Sequence, residues 1–161
     1  MCWSASSRTG AASMAEVILH GFDDLQEGFR AIGSIPFQVT KQALDEMAKQ
    51  AENSIRQTGE AMGVRDENND SGEHILDHIS HSKPMKTEDG GKSFITFKGT
   101  RLRGNTVTWN AAIAYINEYG APKRGITARP FITTGMARNE QTIAAPAEQV
   151  IGDWIERTYG K

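Results

Sequence analysis

The chain has 161 residues, 38% hydrophobic and 24% charged, with 18 basic and 20 acidic side chains and a formal net charge of −2. Such a composition predicts one globular domain, long enough to bury a core without a metal or disulfide staple. A disulfide scaffold is excluded because Cys2 is the only cysteine, and no apolar run approaches the roughly 18–20 residues of a membrane span.

Residues 1–13 are small and polar, with no apolar stretch of the kind found in a secretory signal. They read as a loose arm over residues 1–14, or as sequence ahead of a natural start at Met14, before a single domain over residues 15–161. Lacking a signal and a second cysteine, the chain is expected in a reducing compartment. Val17-Ile18-Leu19 reads as a short strand ended by Gly21. Asp23 or Asp24 can cap a helix whose buried stripe is Leu25, Phe29 and Ile32, and Gly33 ends it. A longer helix begins near Pro36, tolerated there because first-turn amides have no intrahelical partner. Its apolar stripe is Phe37, Leu44, Met47, Ala48, Ala51 and Ile55, opposite Lys41, Gln42, Asp45, Glu46, Lys49 and Glu52; Gly59 or Gly63 ends it.

Residues 63–72 form a polar loop. The stretch from Ile75 leads into a strand ending near Lys86. A turn at 88–91, a strand over 93–97, a second, Arg-rich turn from Gly99 to Gly104 and a strand over 106–109 then complete an antiparallel meander. Ala111 to Tyr119 is expected as a short helix and residues 120–125 as an exposed loop. After Arg129-Pro130 a helical region runs to about Tyr159, with a kink or break at Pro146, which has no amide to donate. Val150, Ile151, Trp154 and Ile155 form its apolar face. The fold class that follows is α+β: an antiparallel sheet of about three to four strands against the long amphipathic helix and the C-terminal helix.

Charge is distributed unevenly. Residues 14–91 hold 7 basic and 15 acidic residues, whereas residues 92–129 hold 7 basic residues (Lys92, Lys98, Arg101, Arg103, Lys123, Arg124 and Arg129) and one acid, Glu118. Such a chain can bind copies of itself head to tail, or turn its basic segment to nucleic acid with Phe94, Phe97 and Trp109 as stacking groups.

No motif for bond-making chemistry is complete. His74, His78 and His81 would share a helical face like zinc ligands, but on a strand His81 points away from the other two, and no cysteine lies nearby. Asp66, Asn68, Asp70 and Asp77 stand at positions 1, 3, 5 and 12 of a calcium loop, yet Ser71 fills the place that needs Gly, and position 12 lacks the longer Glu. Gly91-Lys92-Ser93 resembles the end of a phosphate loop, with Lys86 where its first Gly belongs. There is no Gly-x-Ser-x-Gly elbow. The expectation is a protein without enzymatic activity, metal or cofactor.

Three segments carry a family resemblance. Val17 to Leu25 resembles an opening strand, Gly-hydrophobic pair and helix. Asp70-Ser71-Gly72 with Leu76-Asp77-His78-Ile79 is similar to a Thr-Gly-x-Leu-x-x-Ser-Ile segment. Ala114-Tyr115-Ile116-Asn117-Glu118-Tyr119-Gly120 resembles Tyr-Ala-x-x-Val-Glu-(Phe/Tyr)-Gly-Thr, and Arg129-Pro130-Phe131-Ile132 resembles an Arg-Pro-Phe-Leu motif opening a C-terminal helix. Together, over about residues 15–145, they resemble the small neck or tail-completion proteins of long-tailed bacteriophages. Departures are a missing Pro before the Thr-Gly pair, a longer Ser71–Leu76 spacing and Ala121 in place of Thr.

The resemblance implies a virion structural protein of the neck or upper tail. It would form a ring or hexamer and meet head-completion, tail-terminator or tail-tube proteins. DNA would be passing cargo only, no membrane would be involved, and the host cytoplasm would be the site of assembly. Within that reading Gly120 ends its helix at positive φ, Arg129-Pro130 sets an extended approach, and Phe131 anchors the last helix on the sheet. Glu118, Tyr119, Lys123, Arg124, Arg129, Arg101 and Arg103 are the expected subunit interface. Glu118 would pair with Arg124, Arg129 or a neighbouring subunit, so that Glu118→Lys should impair assembly and leave the monomer folded.

Overall fold

The computed structural model describes residues 35–64, 66, 73–88, 90–103 and 105–160. The expected strand at 17–19, the helix from Asp23 to Gly33, the arm over 1–14, and residues 68–72 of the calcium-like and family-like loops lie outside the described residues.

Helix α1 spans Phe37–Ala61, 25 residues, with Pro36 as its N-cap and Gly63 at φ 60 beyond its end. Of the expected stripe, Leu44, Met47, Ala48, Ala51 and Ile55 line the core together with Ala43, whereas Phe37 is half-buried; Gly59 sits inside the helix against Leu76 and Phe131. Most of the other elements pack on α1, while the helix over 110–119 and the hairpin over 100–109 do not. Those that do are the 3₁₀ turn η1 (Ile75–His78), strands β1 (Ile79–His81), β2 (Met85–Thr87), β3 (Gly90–Lys92) and β4 (Ile95–Phe97), and helices α3 (Phe131–Arg138) and α4 (Glu140–Tyr159). The core joins α1 to Ile75, Leu76, Ile79, Ile95 and Phe97 on one hand and to Phe131, Ile132, Ile143, Ala147 and Ile151 on the other. The α+β class with a long and a C-terminal helix therefore holds.

The strands form three two-stranded antiparallel ladders rather than one sheet. Two of them are halves of one long hairpin. Ile79 faces Phe97 and His81 faces Ile95, whereas Met85 faces Lys92 and Thr87 faces Gly90. The register slips by one residue between the halves, so Lys83 and Pro84 together oppose Ser93. A bulge is where a residue without an amide can sit in a ladder. The Ser93 hydroxyl donates to the Ser82 carbonyl at 2.8 Å, and the Phe94 amide donates to the Ser82 hydroxyl at 3.0 Å, tying the bulge.

The third ladder pairs β5 (Thr100–Arg103) with β6 (Thr106–Trp109). Residues 100–103, expected as a turn, are thus a strand. The arginines do not forbid this, because Arg101 finds acidic and amide partners under the hairpin. Ile75–His78, expected as the start of a strand, is a 3₁₀ turn instead. His74 caps it by accepting from the Leu76 amide at 3.2 Å, and Asp77 accepts from the His74 amide at 3.0 Å. These local side-chain bonds outcompete extension.

Helix α2 spans Asn110–Tyr119, as expected. The break in the C-terminal region falls at Asn139, not at Pro146, which sits inside a continuous α4. The Gly135 carbonyl would accept the Asn139 amide if the helix continued. It accepts the Ser54 hydroxyl at 2.6 Å and the Asn139 side-chain amide at 3.3 Å instead, and that amide also reaches Ser54 at 2.7 Å. Gly135 permits this approach, since a Cβ there would stand 3.0 Å from the Ile55 Cα.

Candidate functional site

Of the residues expected at a subunit interface, Glu118 and Arg101 serve the chain's interior, whereas Tyr119, Lys123, Arg124 and Arg129 lie at the surface. Glu118, on the last turn of α2, is 3% exposed. Its carboxylate accepts the Ile132 amide at 2.8 Å, the Thr133 amide at 3.0 Å and the Thr133 hydroxyl. These amides belong to the first turn of α3, where four donors lack intrahelical acceptors and the helix dipole favours a negative charge. Glu118 is therefore the N-terminal cap of α3, supplied from another helix. It does not pair with Arg124 or Arg129, and the expected interface role is corrected on that ground.

The two most family-like motifs are joined at this corner. Gly120 turns at φ 75, where a Cβ would lie 2.7 Å from the Ala128 amide nitrogen. The Arg129 amide donates to the Asn117 carbonyl at 2.6 Å, delivering Pro130 to the N-cap position of α3. Phe131 is fully buried and meets Phe97 of β4 edge-on at 5.9 Å, the expected anchor of helix on strand.

Arg101 is the second inward residue, 6% exposed. Its Nη1 donates to Asp66 and to the Glu73 carbonyl at 3.4 Å, and its Nε donates to Asn110 Oδ1 at 2.7 Å. Asn110, fully buried, turns its other side-chain group to the Lys98 carbonyl at 2.6 Å. A charge survives burial only when paired and hydrogen-bonded, and Asp66 and Asn110 meet that condition. Sequence reading missed both partners: Asp66 lies in a polar loop, and Asn110 opens a helix without flanking signal. With Arg101 paired internally and Phe97 in the core, the nucleic-acid alternative loses two of the groups named for it.

The outward set is different in kind. Tyr119 is 60% exposed and packs against Tyr115, one helical turn away, with ring centroids 4.6 Å apart and planes tilted by 44°. Lys123 and Arg124 are exposed on the 3₁₀ turn η2 (Pro122–Arg124), and Arg129 is half-buried. Arg103 lies on β5, its backbone paired with Thr106. Beside them stand Trp109, expected as a stacking group and 63% exposed, and two apolar side chains that the sequence does not single out as surface, Leu102 and Val107, 58% and 61% exposed. Leu102 faces Val107 across the ladder and Trp109 follows two residues on, so all three share one face of the hairpin, opposite Arg101.

The histidines go to separate partners. His74 Nδ1 accepts from Leu76, so Nε2 carries the proton it shares with the Val64 carbonyl at 3.1 Å. His78 lies 3.2 Å from Glu73. His81 ties β1 to α1 through Glu52 at 2.7 Å and Asp45 at 3.2 Å. Among the described residues no cluster of three or more His, Cys, Asp or Glu is arranged to hold a metal. The Lys49 ammonium, hydrogen-bonded to Asp45, holds that carboxyl below its usual range, with His81 adding to the effect; the Glu46 and Asp45 carboxylates push Lys49 up to about 12. No helix among the described residues is long and apolar enough to cross a membrane. No protein-family model matches this sequence, and no curated protein or solved structure is significantly similar to it.

Proposed function

We propose that this chain is a structural, non-enzymatic component of the neck or upper tail of a long-tailed bacteriophage. It completes the tail for head–tail joining by assembling with copies of itself in a ring, a hexamer in this reading. Head-completion, tail-terminator or tail-tube proteins are its neighbours, and the virion is its final location. The observation that carries the reading is the union of its two most family-like segments. Glu118 and Gly120 of the first are spent on positioning the Arg129-Pro130-Phe131 start of the second, which gives a physical reason for the two patterns to occur together. A surface rich in exposed aromatic and basic side chains over 102–124 supports a protein that works by contact.

The test is deletion of the gene from the phage or prophage that encodes it, followed by electron microscopy of the lysate. Filled heads and separate tails that do not join are the expected result, with the protein found by mass spectrometry in complete particles of the parent. Normal plaque formation by the deletion would overturn the proposal, as would a gene neighbourhood of metabolic enzymes without portal, capsid or tail-tube genes.

A further inference from the structure

We infer that the outer face of the β5–β6 hairpin seats on the outward, acidic face of α4 in a second copy of the chain, in a head-to-tail contact. This deepens the assembly reading and rests on it. The hairpin face is formed by Leu102, Val107 and Trp109, all more than half exposed. Two-stranded hairpins are marginal in water, and among the described residues this outward row of large apolar groups is left more than half uncovered. Trp109 stands at the base of this face, paired with Thr100, and tryptophan is a residue type that often dominates contact energy.

The receiving surface is argued from α4. Its inward side is Ile143, Ala147 and Ile151. On the opposite side Glu148, Gly152 and Glu156 follow at successive turns, with Ala145 before them and Tyr159, 53% exposed, after. Gly152 lies within a 20-residue helix, where glycine is the least favourable residue after proline, and a Cβ there would meet nothing within 4 Å. No packing inside the described chain accounts for the missing side chain. A neighbour's bulky group approaching the helix backbone does.

Charge selects a second copy as that neighbour. Helix α4 carries Glu140, Glu148, Asp153 and Glu156 against Arg157 alone, whereas the segment 92–129 bearing the hairpin, with Arg101 and Glu118 both buried, keeps six further basic residues and no further acid. The acidic residues of α4 on either side of Gly152 and the basic residues of the segment that bears the hairpin, Lys98 and Arg103 nearest in sequence, are opposite in charge. The two surfaces also belong to different parts of one molecule: α4 packs on α1 and α3, and the hairpin packs on α2. Contact between unlike patches is heterologous, which propagates and closes into a ring when the rotation permits.

The experiment uses the full chain with a photo-crosslinking benzoylphenylalanine at position 107, alongside light scattering of the wild type, Val107→Thr/Trp109→Ser and Gly152→Gln. Position 109 is the N-cap of α2, where serine is favourable, and glutamine favours helix at 152. Both variants should therefore keep or slightly raise the wild-type Tm. The expected result is oligomeric wild type, at least a tenfold weaker association in each variant, several-fold weakening between about 50 and 500 mM salt, and crosslinks from position 107 to α4 peptides of another copy. Crosslinks to residues 1–34 of the same chain would overturn the contact. So would variants that assemble as well as wild type, an outcome that leaves the assembly reading standing. Wild type that stays monomeric without any crosslink between copies would remove both.

Discussion

Replacing Glu118 by alanine tests whether an interhelical carboxylate holds the start of α3. The substitution removes the acceptor for the buried Ile132 amide, for the Thr133 amide and for the Thr133 hydroxyl. A buried donor left unpaired costs about 1–3 kcal/mol, and loss of a helix cap costs about 0.5–2 kcal/mol. Because the Thr133 groups are partly accessible to water, the combined loss is about 3–5 kcal/mol, a large share of the roughly 5–15 kcal/mol that holds a domain folded. Urea denaturation followed by far-ultraviolet circular dichroism should show the midpoint falling at constant slope, with Glu118→Gln intermediate because one carbonyl oxygen remains. Glu118→Lys places a cation against a helix N-terminus in a site only 3% exposed, so no folded monomer is expected. If Glu118→Ala lies within about 1 kcal/mol of the wild type, the carboxylate is not the cap described, and the corner must be held by Phe131 and the Gly120 turn instead.

Gly135→Ala should cost about 2 kcal/mol by the same assay, since its Cβ would stand 3.0 Å from the Ile55 Cα and 3.2 Å from the Ser54 carbonyl oxygen, forcing α3 off α1. Arg101→Ala leaves Asp66 buried without its cation and should cost about 3–5 kcal/mol; a double-mutant cycle with Asp66→Ala should return a favourable coupling energy, and additive losses would contradict the pair. Asp45→Asn probes the α1–β1 clasp by pH. Asp45 has a folded value below 3.8, so its contribution is present above about pH 3.8 and disappears as pH falls through the lowered value. Its side chain is 38% exposed, so the difference from wild type should be about 0.5 kcal/mol or less at neutral pH. That difference should vanish in acid, and a gap that widens there would refute the sign.

What the sequence discloses is what local periodicity and backbone constraint govern. Helix α1 was legible because its apolar positions recur at helical spacing and Pro36 and Gly63 bound it. Gly120 and Phe131 were legible for related reasons, one a turn that needs positive φ, the other an aromatic group opening an amphipathic helix. Glu118 and Arg101 were misread because a lone charged residue is mostly exposed unless paired. Their partners are distant in sequence: an α3 start beyond a loop, and Asp66 of the loop after α1. Strand β5 was hidden for the same reason, since its arginines suggest a solvated turn when Asp66 and Asn110 are out of view. Pro146 misled in the opposite direction. Loss of one amide bond is tolerated in α4, while the break falls at Asn139, where Ser54 of another helix competes for the Gly135 carbonyl.

The two misread charges change what the outer surface is. Arg101 and Glu118 are withdrawn from segment 92–129 into separate internal networks, and the charged residues left to that segment are all basic: Lys92, Lys98, Arg103, Lys123, Arg124 and Arg129. Most of the large exposed apolar side chains (Leu102, Val107, Trp109, Tyr115 and Tyr119) fall within the same stretch. Cationic and apolar groups carried by one segment make two separable contributions to association. The cations steer and select an acidic partner and are screened by salt, whereas burial of the apolar groups sets the lifetime of the contact. Substituting Lys123 and Arg124 should therefore slow association and flatten its salt dependence, while substituting Val107 and Trp109 should speed dissociation. Stopped-flow measurement of both rates separates the two, and equal effects of both pairs on dissociation would mean that charge and apolar burial are not divided in this way.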